Sequence, residues 1–184
     1  MKLIQIRIAG MGGQGIQTAG RLLAHAAILQ RKFSAVTSVM GPEVRDGVSL
    51  ADVLLSDRMI DFPGLSEIDI LVPLTQRAYD AHPDGKLQAT SVIVADPEVI
   101  KPRKGSGARH IWVGCLARLK REKLDPQHLA ICMTAALVRG AKIVSMDAFH
   151  KAVKGHFFEK EALAGNLKAF DAGVVLGKKI RYAP

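Results

Sequence analysis

Aromatic residues make up only 5% of this 184-residue chain, and cysteine occurs just twice. With so few rings and 17 glycines, the core must be built from aliphatic side chains on closely approaching backbones, which fits an α/β protein better than a sandwich. The two cysteines, Cys115 and Cys132, are too far apart in sequence for a local CxxC motif, and two thiolates cannot hold an iron–sulfur cluster. The chain is therefore expected to carry no cluster of its own. Long apolar runs are also missing: Ile68 to Leu74, itself interrupted by Asp69, falls far short of the ~18 to 20 residues that span a bilayer. No membrane segment is expected. At the N-terminus, Lys2 and Arg7 flank a short alternating run that leads straight into glycines, without the apolar block and cleavage site of a signal peptide. The expected compartment is the cytoplasm.

Charge of one sign is in surplus, and its placement is uneven. Residues 1–92 carry 9 basic and 9 acidic side chains, whereas residues 93–184 carry 17 basic and 8 acidic ones, so the second half holds the whole excess of +9. The clusters are Lys101, Arg103, Lys104 and Arg109, then Arg118, Lys120, Arg121 and Lys123, then Lys178, Lys179 and Arg181. One reading is a solvated face; the other is an acidic partner, meaning a protein face, a phosphorylated cofactor or nucleic acid. Nucleic acid is the least favoured, because neither of the first two clusters contains an aromatic residue to stack on bases.

Periodicity assigns the fold class. Leu3 to Ala9 reads as a buried strand, Ile16, Ala19, Gly20, Leu23, Ala26 and Ala27 as one face of a helix, and Phe33 to Val39 as a second strand, together a βαβ unit. Further strands are expected over Val48 to Leu55 (one face protected), Ile68 to Leu74 and Ser91 to Ala95, with an edge strand at Ile111 to Val113. Thr75 is placed to cap a short helix. Asp125-Pro126 opens a helix that Gly140 ends, Ser145 caps another closed by Gly155, and a last one from about Glu159 puts Leu163, Leu167, Phe170 and Val174 on one stripe. The expectation is one domain over residues 1–184, a βαβ-rich half (1–97) and a basic, helix-rich half (98–184). Its architecture is a doubly wound, Rossmann-like, mainly parallel sheet with helices on both faces.

The strongest local signal is Gly10-Met11-Gly12-Gly13-Gln14-Gly15, a glycine-rich turn between strand and helix. Backbone N–H groups in such a turn can cradle an anion at the helix N-terminus. A tight packing turn explains the glycines equally well. Dinucleotide binding is disfavoured, because Val36 to Met40 offers only Thr37 and Ser38 where an acid should hold the ribose. A Walker A loop is excluded by Ile16-Gln17 in place of Lys and Ser or Thr. A second unusual segment is Gly41 to Gly47, where Arg45 could pin a carboxylate or phosphate and Glu43 could orient it, or the two could simply pair. His25, His82, His110, His128, His150 and His156 show no metal-ligand spacing, and neither cysteine has a local base. The lone Trp112, beside the basic loop, is either a partner anchor or a buried edge-strand residue.

Taken together, these segments resemble one family. Gly10 to Gly15 with Ala19-Gly20 and Leu23-Ala24, then Gly41-Pro42-Glu43-Val44-Arg45, Ser49, Ser56-Asp57, Asp69-Ile70-Leu71-Val72 and Asn166 to Gly173 look like the gamma subunit of 2-oxoacid:ferredoxin oxidoreductases of the pyruvate, 2-oxoglutarate or ketoisovalerate type. The chain departs from the usual pattern at Asp46, where the family has glycine, and at Ile131 or Cys132 and Ala135, where it has asparagine and glycine.

The resemblance implies a multi-subunit enzyme that converts a 2-oxoacid and coenzyme A to acyl-CoA and carbon dioxide and passes electrons to ferredoxin. It also implies thiamine diphosphate, Mg and [4Fe-4S] clusters in alpha and beta subunits and a ferredoxin-like delta chain, with no catalytic residue or metal ligand in this one. The residues then expected to touch coenzyme A or another anion are Gly10, Gly12, Gly13, Gln14, Gly15, Glu43 and Arg45.

Overall fold

The structure is a computed structural model that describes residues 3–39, 47–83, 87–178 and 180. Strands β1 (Ile4–Gly10), β2 (Phe33–Val39), β3 (Ser49–Ser56), β4 (Ile70–Pro73), β5 (Val92–Ala95) and β6 (Arg109–Trp112) form one sheet in the order β2-β3-β1-β4-β5-β6. The helices are α1 (Ile16–Leu29), α2 (Gln76–Asp80), α3 (Cys115–Arg121), α4 (Leu129–Ala141), α5 (Met146–His156) and α6 (Lys160–Gly177). Strands β1, β4, β5 and β6 pair in parallel, while β3 runs antiparallel to both of its neighbours.

This arrangement changes the expected βαβ unit. Strand β2 does not lie beside β1, because β3 is inserted between them, in register from Ile4↔Leu55 on one side and Phe33↔Ser56 on the other. The physical reason lies in β3 itself: apart from half-buried Leu50, all its residues are buried, so it is protected on both faces rather than the single face expected, as an interior strand must be. Asp52 is tolerated there because Arg7, directly across on β1, donates from Nε and Nη2 to its two carboxylate oxygens, each at 2.7 Å.

The two faces of the sheet are covered unequally. Helix α1 lies over β1, β2 and β3, and a methyl group on Gly20 would sit 3.0 Å from Ala51 Cβ, so the missing side chain lets the helix settle onto β3. Helices α3 to α6 share the same core as α1 and the strand residues Ile6, Ile8, Val72 and Val94. The opposite face is covered by α2, with Tyr79 packed among Ala9, Leu71, Ile93 and Ala95. Residues from both halves of the chain thus contribute to one sheet and to the core on each of its faces.

Three helix starts follow the local sequence: Thr75, Asp125 and Ser145 accept hydrogen bonds from the N–H groups of Ala78, Gln127 and Ala148. Pro126–His128 form a 3-10 turn before α4 begins. Two helix ends differ from expectation. Gly140 and Gly155 lie inside α4 and α5, and α4 ends at Lys142 in a left-handed conformation. The absent side chain of Gly140 leaves room for Ile180, whose Cβ would lie 2.3 Å from an added methyl.

The face that α6 buries also differs. Leu163, Leu167 and Val174 are only half-buried, while Asn166, Ala169, Phe170, Gly173 and Gly177 face inward. A methyl on Gly173 would lie 2.2 Å from the Cys132 carbonyl oxygen, and one on Gly177 would lie 2.4 Å from that of Ala136. Helices α4 and α6 therefore meet backbone to backbone along a glycine stripe, with Phe170 of the expected stripe in the core and Leu167 and Val174 packed at its margin. No helix among the described residues is long and apolar enough to cross a membrane.

Candidate functional site

Strand β1 delivers its last residue, Gly10, to the carboxyl edge of the sheet, where Leu74 N–H bonds the Ala9 carbonyl at 2.7 Å and brings the end of β4 alongside. This is the edge at which doubly wound sheets bind ligands. The loop that follows divides into two kinds of residue. Gln14 turns its side chain inward, its Oε1 accepting from Met11 N–H at 2.8 Å and its Nε2 reaching the Leu74 carbonyl at 3.5 Å. A Cβ on Gly10 would lie 2.5 Å from that Oε1 and 3.1 Å from Leu74 Cβ. Gly10 and Gln14 therefore shape the turn.

Gly12 and Gly13 have nothing within 4 Å of where a Cβ would project, and Gly13 and Gly15 hold φ angles of 84° and 72°, a region other residues adopt only with strain. Gly15 is the N-cap of α1, and no side chain caps this helix. An exposed loop leading into an uncapped 14-residue helix is a region of partial positive charge that offers backbone donors.

Two open cavities flank this helix start. One, of about 200 Å³, is lined by Met11, Gly12, Gly13, Gln17, Thr18 and Ser49 among others. The other, of about 260 Å³, adds Gln127, His128, Phe157 and Asn166 from α4, α6 and the segments before them. Gln17 and Thr18 could have been anticipated from their place in the first turn after the glycines. His128 and Asn166 come from more than a hundred residues away and carried no local signal. His128 Nδ1 lies 3.0 Å from the Asp125 carbonyl. Glu43 and Arg45 lie outside the described residues.

The topology adds to the case against dinucleotide binding. With β3 between them, the ends of β1 and β2 are two strand spacings apart, roughly 10 Å, so no described residue at the end of β2 occupies the place of a ribose-binding acid next to the loop. The Ser38 hydroxyl is instead spent on Gln17 Oε1, and Gln17 Nε2 donates to the Leu50 carbonyl at 2.8 Å.

Elsewhere, titratable groups have structural roles. Asp96, at the end of β5, is buried and accepts from Leu116 N–H at 2.6 Å and Glu98 N–H at 2.8 Å. Burial holds its carboxyl above the usual aspartate range despite those donors. Cys115 and Cys132 are both buried and interact with each other; that hydrogen bond and their burial push the Cys115 thiol far up, the reverse of an activated nucleophile. Among the described residues no group of three or more His, Cys, Asp or Glu side chains is arranged to hold a metal ion.

An antiparallel strand inserted into a doubly wound sheet, beside an exposed glycine turn at a helix start that no side chain caps, defines an α/β domain whose strand order differs from that of the dinucleotide-binding enzymes. Residues 5–176 match the family described as pyruvate ferredoxin/flavodoxin oxidoreductase, and the chain belongs to it. It is 35% identical to the 2-oxoglutarate synthase subunit KorC of Methanocaldococcus jannaschii over 96% of this chain and 95% of that one. It is 26% identical to the ketoisovalerate oxidoreductase subunit VorA of Methanothermobacter thermautotrophicus, covering 92% of this chain but 35% of that longer protein. Among solved structures, the keto/oxoacid ferredoxin oxidoreductase gamma subunit of Geobacter sulfurreducens superposes with a TM-score of 0.80 at 27% identity, covering 95% of this chain and 98% of that one. The 2-oxoglutarate:ferredoxin oxidoreductase of Magnetococcus marinus shares the fold at a TM-score of 0.84 and 23% identity, with all of this chain matching 33% of that one.

Proposed function

We propose that the chain acts as the gamma-type subunit of a 2-oxoacid:ferredoxin oxidoreductase, converting a 2-oxoacid and coenzyme A to acyl-CoA and carbon dioxide, in which partner subunits carry the reaction. The observation that carries this reading is the end-to-end match to KorC subunits, which begins before the glycine loop and runs through α6. In VorA the corresponding region is about a third of a longer protein, which fits a domain that functions beside others. The partners are alpha and beta subunits and a ferredoxin-like delta chain, with ferredoxin as acceptor. Thiamine diphosphate, Mg and [4Fe-4S] clusters belong to those partners, and the assembly belongs in the cytoplasm. The 184 residues work as one domain.

The role of this chain at the reaction is to contact coenzyme A. The Magnetococcus complex was solved with 2-oxoglutarate, coenzyme A and succinyl-CoA bound. Here the support is the open turn at Gly12 and Gly13, where a phosphorylated ligand can approach the backbone at a helix start that no side chain caps. Arg45, with Glu43, follows the carboxyl-edge end of β2 and is the side-chain partner proposed for it.

The test is reconstitution. The purified chain alone should show no thiamine or iron–sulfur absorbance and no 2-oxoacid oxidation, and activity should appear only when the partner subunits are added. In the complex, Arg45→Ala should weaken coenzyme A by about 1.5 to 3 kcal/mol for the lost charge-assisted hydrogen bond. Turnover by the isolated chain would overturn the subunit reading; unchanged coenzyme A affinity would remove only the contact.

A further inference from the structure

The glycine loop leaves the basic second half of the chain unused. Its densest part hangs on the outermost strand: residues 98–124 carry eight Lys or Arg side chains and two acids, Glu98 and Glu122. Both acids are already neutralised, Glu98 by Lys120 at 2.7 Å and Glu122 by Arg118. Arg103 is spent on the fold, its guanidinium 4.2 Å above the Tyr79 ring and bonded to the carbonyls of Tyr79 and His82. Arg109 also has a partner within the chain, which leaves Lys101, Lys104, Arg121 and Lys123, all exposed, with no carboxylate among the described residues within ion-pair distance.

Between these two pairs of cations in the sequence, on the edge strand β6, is the chain's single tryptophan. Trp112 is 42% exposed, yet it is not loose: its ring stacks on His110 at 5.1 Å and 9°. His110 Nε2 lies 3.1 Å from the hydroxyl of fully buried Tyr79, so the stack is anchored in the core. A large ring held in place while exposed has already lost the freedom that binding would otherwise cost it. Among the described residues, strand β6 pairs on one side only, with β5.

We infer that the β6 edge, comprising Trp112 with Lys101, Lys104, Arg121 and Lys123, is a docking surface for an acidic face of another subunit of the oxidoreductase. Uncompensated charge of one sign selects a partner of the other sign and speeds its approach, while the tryptophan supplies the apolar contact that charge alone lacks. An acidic protein face is favoured over nucleic acid because the cluster presents one ring, whereas successive stacked bases need several.

This inference rests on the proposed subunit role, and the experiment separates the two. The full chain and its variants are mixed with the thiamine-binding and cluster-binding subunits, and assembly is followed by sedimentation velocity across a salt series. The wild-type complex should weaken as salt rises. The combined variant Lys101→Glu, Lys104→Glu, Arg121→Glu, Lys123→Glu should assemble about 100-fold more weakly at low salt, the gap closing at high salt. Trp112→Ala should lose about tenfold at every salt concentration.

Thermal melts of the isolated variants show whether each remains folded; the four charge reversals lie on exposed side chains, so they keep the test valid if Trp112→Ala melts early. Unchanged assembly and an unchanged salt slope in both variants would overturn the docking surface and leave the subunit role intact. Displacement of the partner subunits by a single-stranded DNA oligonucleotide would reassign the surface to nucleic acid and likewise overturn it. A wild-type chain that joins no complex would overturn both readings.

Discussion

Two helices begin at the same edge of the sheet, α1 after β1 and α3 after β6, and their first turns are treated in opposite ways. At α3, the Leu116 N–H is taken at 2.6 Å by a carboxylate brought from another strand, that of buried Asp96. At α1, no side chain caps the helix, and open space surrounds Gly12 and Gly13. The first arrangement closes a helix end inside the protein; the second, among the described residues, leaves backbone donors without a side-chain partner. Helix N-termini are thus not interchangeable as site candidates. The informative feature is the absence of an internal partner.

Substitutions at the two ends should separate these roles. Asp96→Ala removes the acceptor for two N–H groups and should lower stability by about 2 kcal/mol, read by urea unfolding, with no selective loss of coenzyme A affinity in the complex. At the open end, Gly13→Ala forces a side chain to φ 84°, and about 1 kcal/mol of strain should appear in the same assay although the Cβ meets nothing.

A smaller effect depends on pH. Because burial holds the Asp96 carboxyl above its ordinary value, its contribution to stability is complete below the ordinary aspartate pKa and is lost as pH rises through the raised value. Asp96→Asn cannot ionise, so the stability of the wild type relative to this variant should increase as pH falls from neutral toward the acid range. A difference that shrinks on acidification would show that the donors outweigh burial.

The least effect on stability is expected for Gly12→Ala, whose added methyl enters open space: unfolding should shift by less than about 0.5 kcal/mol. Its consequence should appear in titration of coenzyme A into the reconstituted complex, where affinity falls while the melt does not move. If both stay unchanged, Gly12 has no part in binding and the α1 turn is architecture only.

Much of this was legible along the chain because the signals are local. Asp125, Ser145 and Thr75 mark helix starts by accepting hydrogen bonds from N–H groups two or three residues on, and the αL positions at Gly13 and Gly15 follow from a strand-to-helix turn. The placement of β3 was not legible. Its pattern is compatible with an edge or an interior strand, and only pairing with both β1 and β2 decides between them. Gly140 shows the same limit: a glycine near the end of a helical pattern reads as a stop, and only the approach of Ile180 shows that it is a contact.

By itself, the sequence determined the element types apart from helix α3, the glycine turn between strand and helix, the surplus of positive charge and, through the combination of the glycine loop with Gly41 to Arg45, the family. These depend on residues close together in the chain, whose conformational preferences act before any packing occurs. Tertiary structure alone decided that β3 separates β1 from β2, that the Gln14 side chain braces the loop, that Arg7 neutralises Asp52, and that His128 and Asn166 line the cavity beside Gly15. Each of these depends on which distant segments come to lie side by side, and the free energy that settles that choice is gained only when the whole core is buried at once.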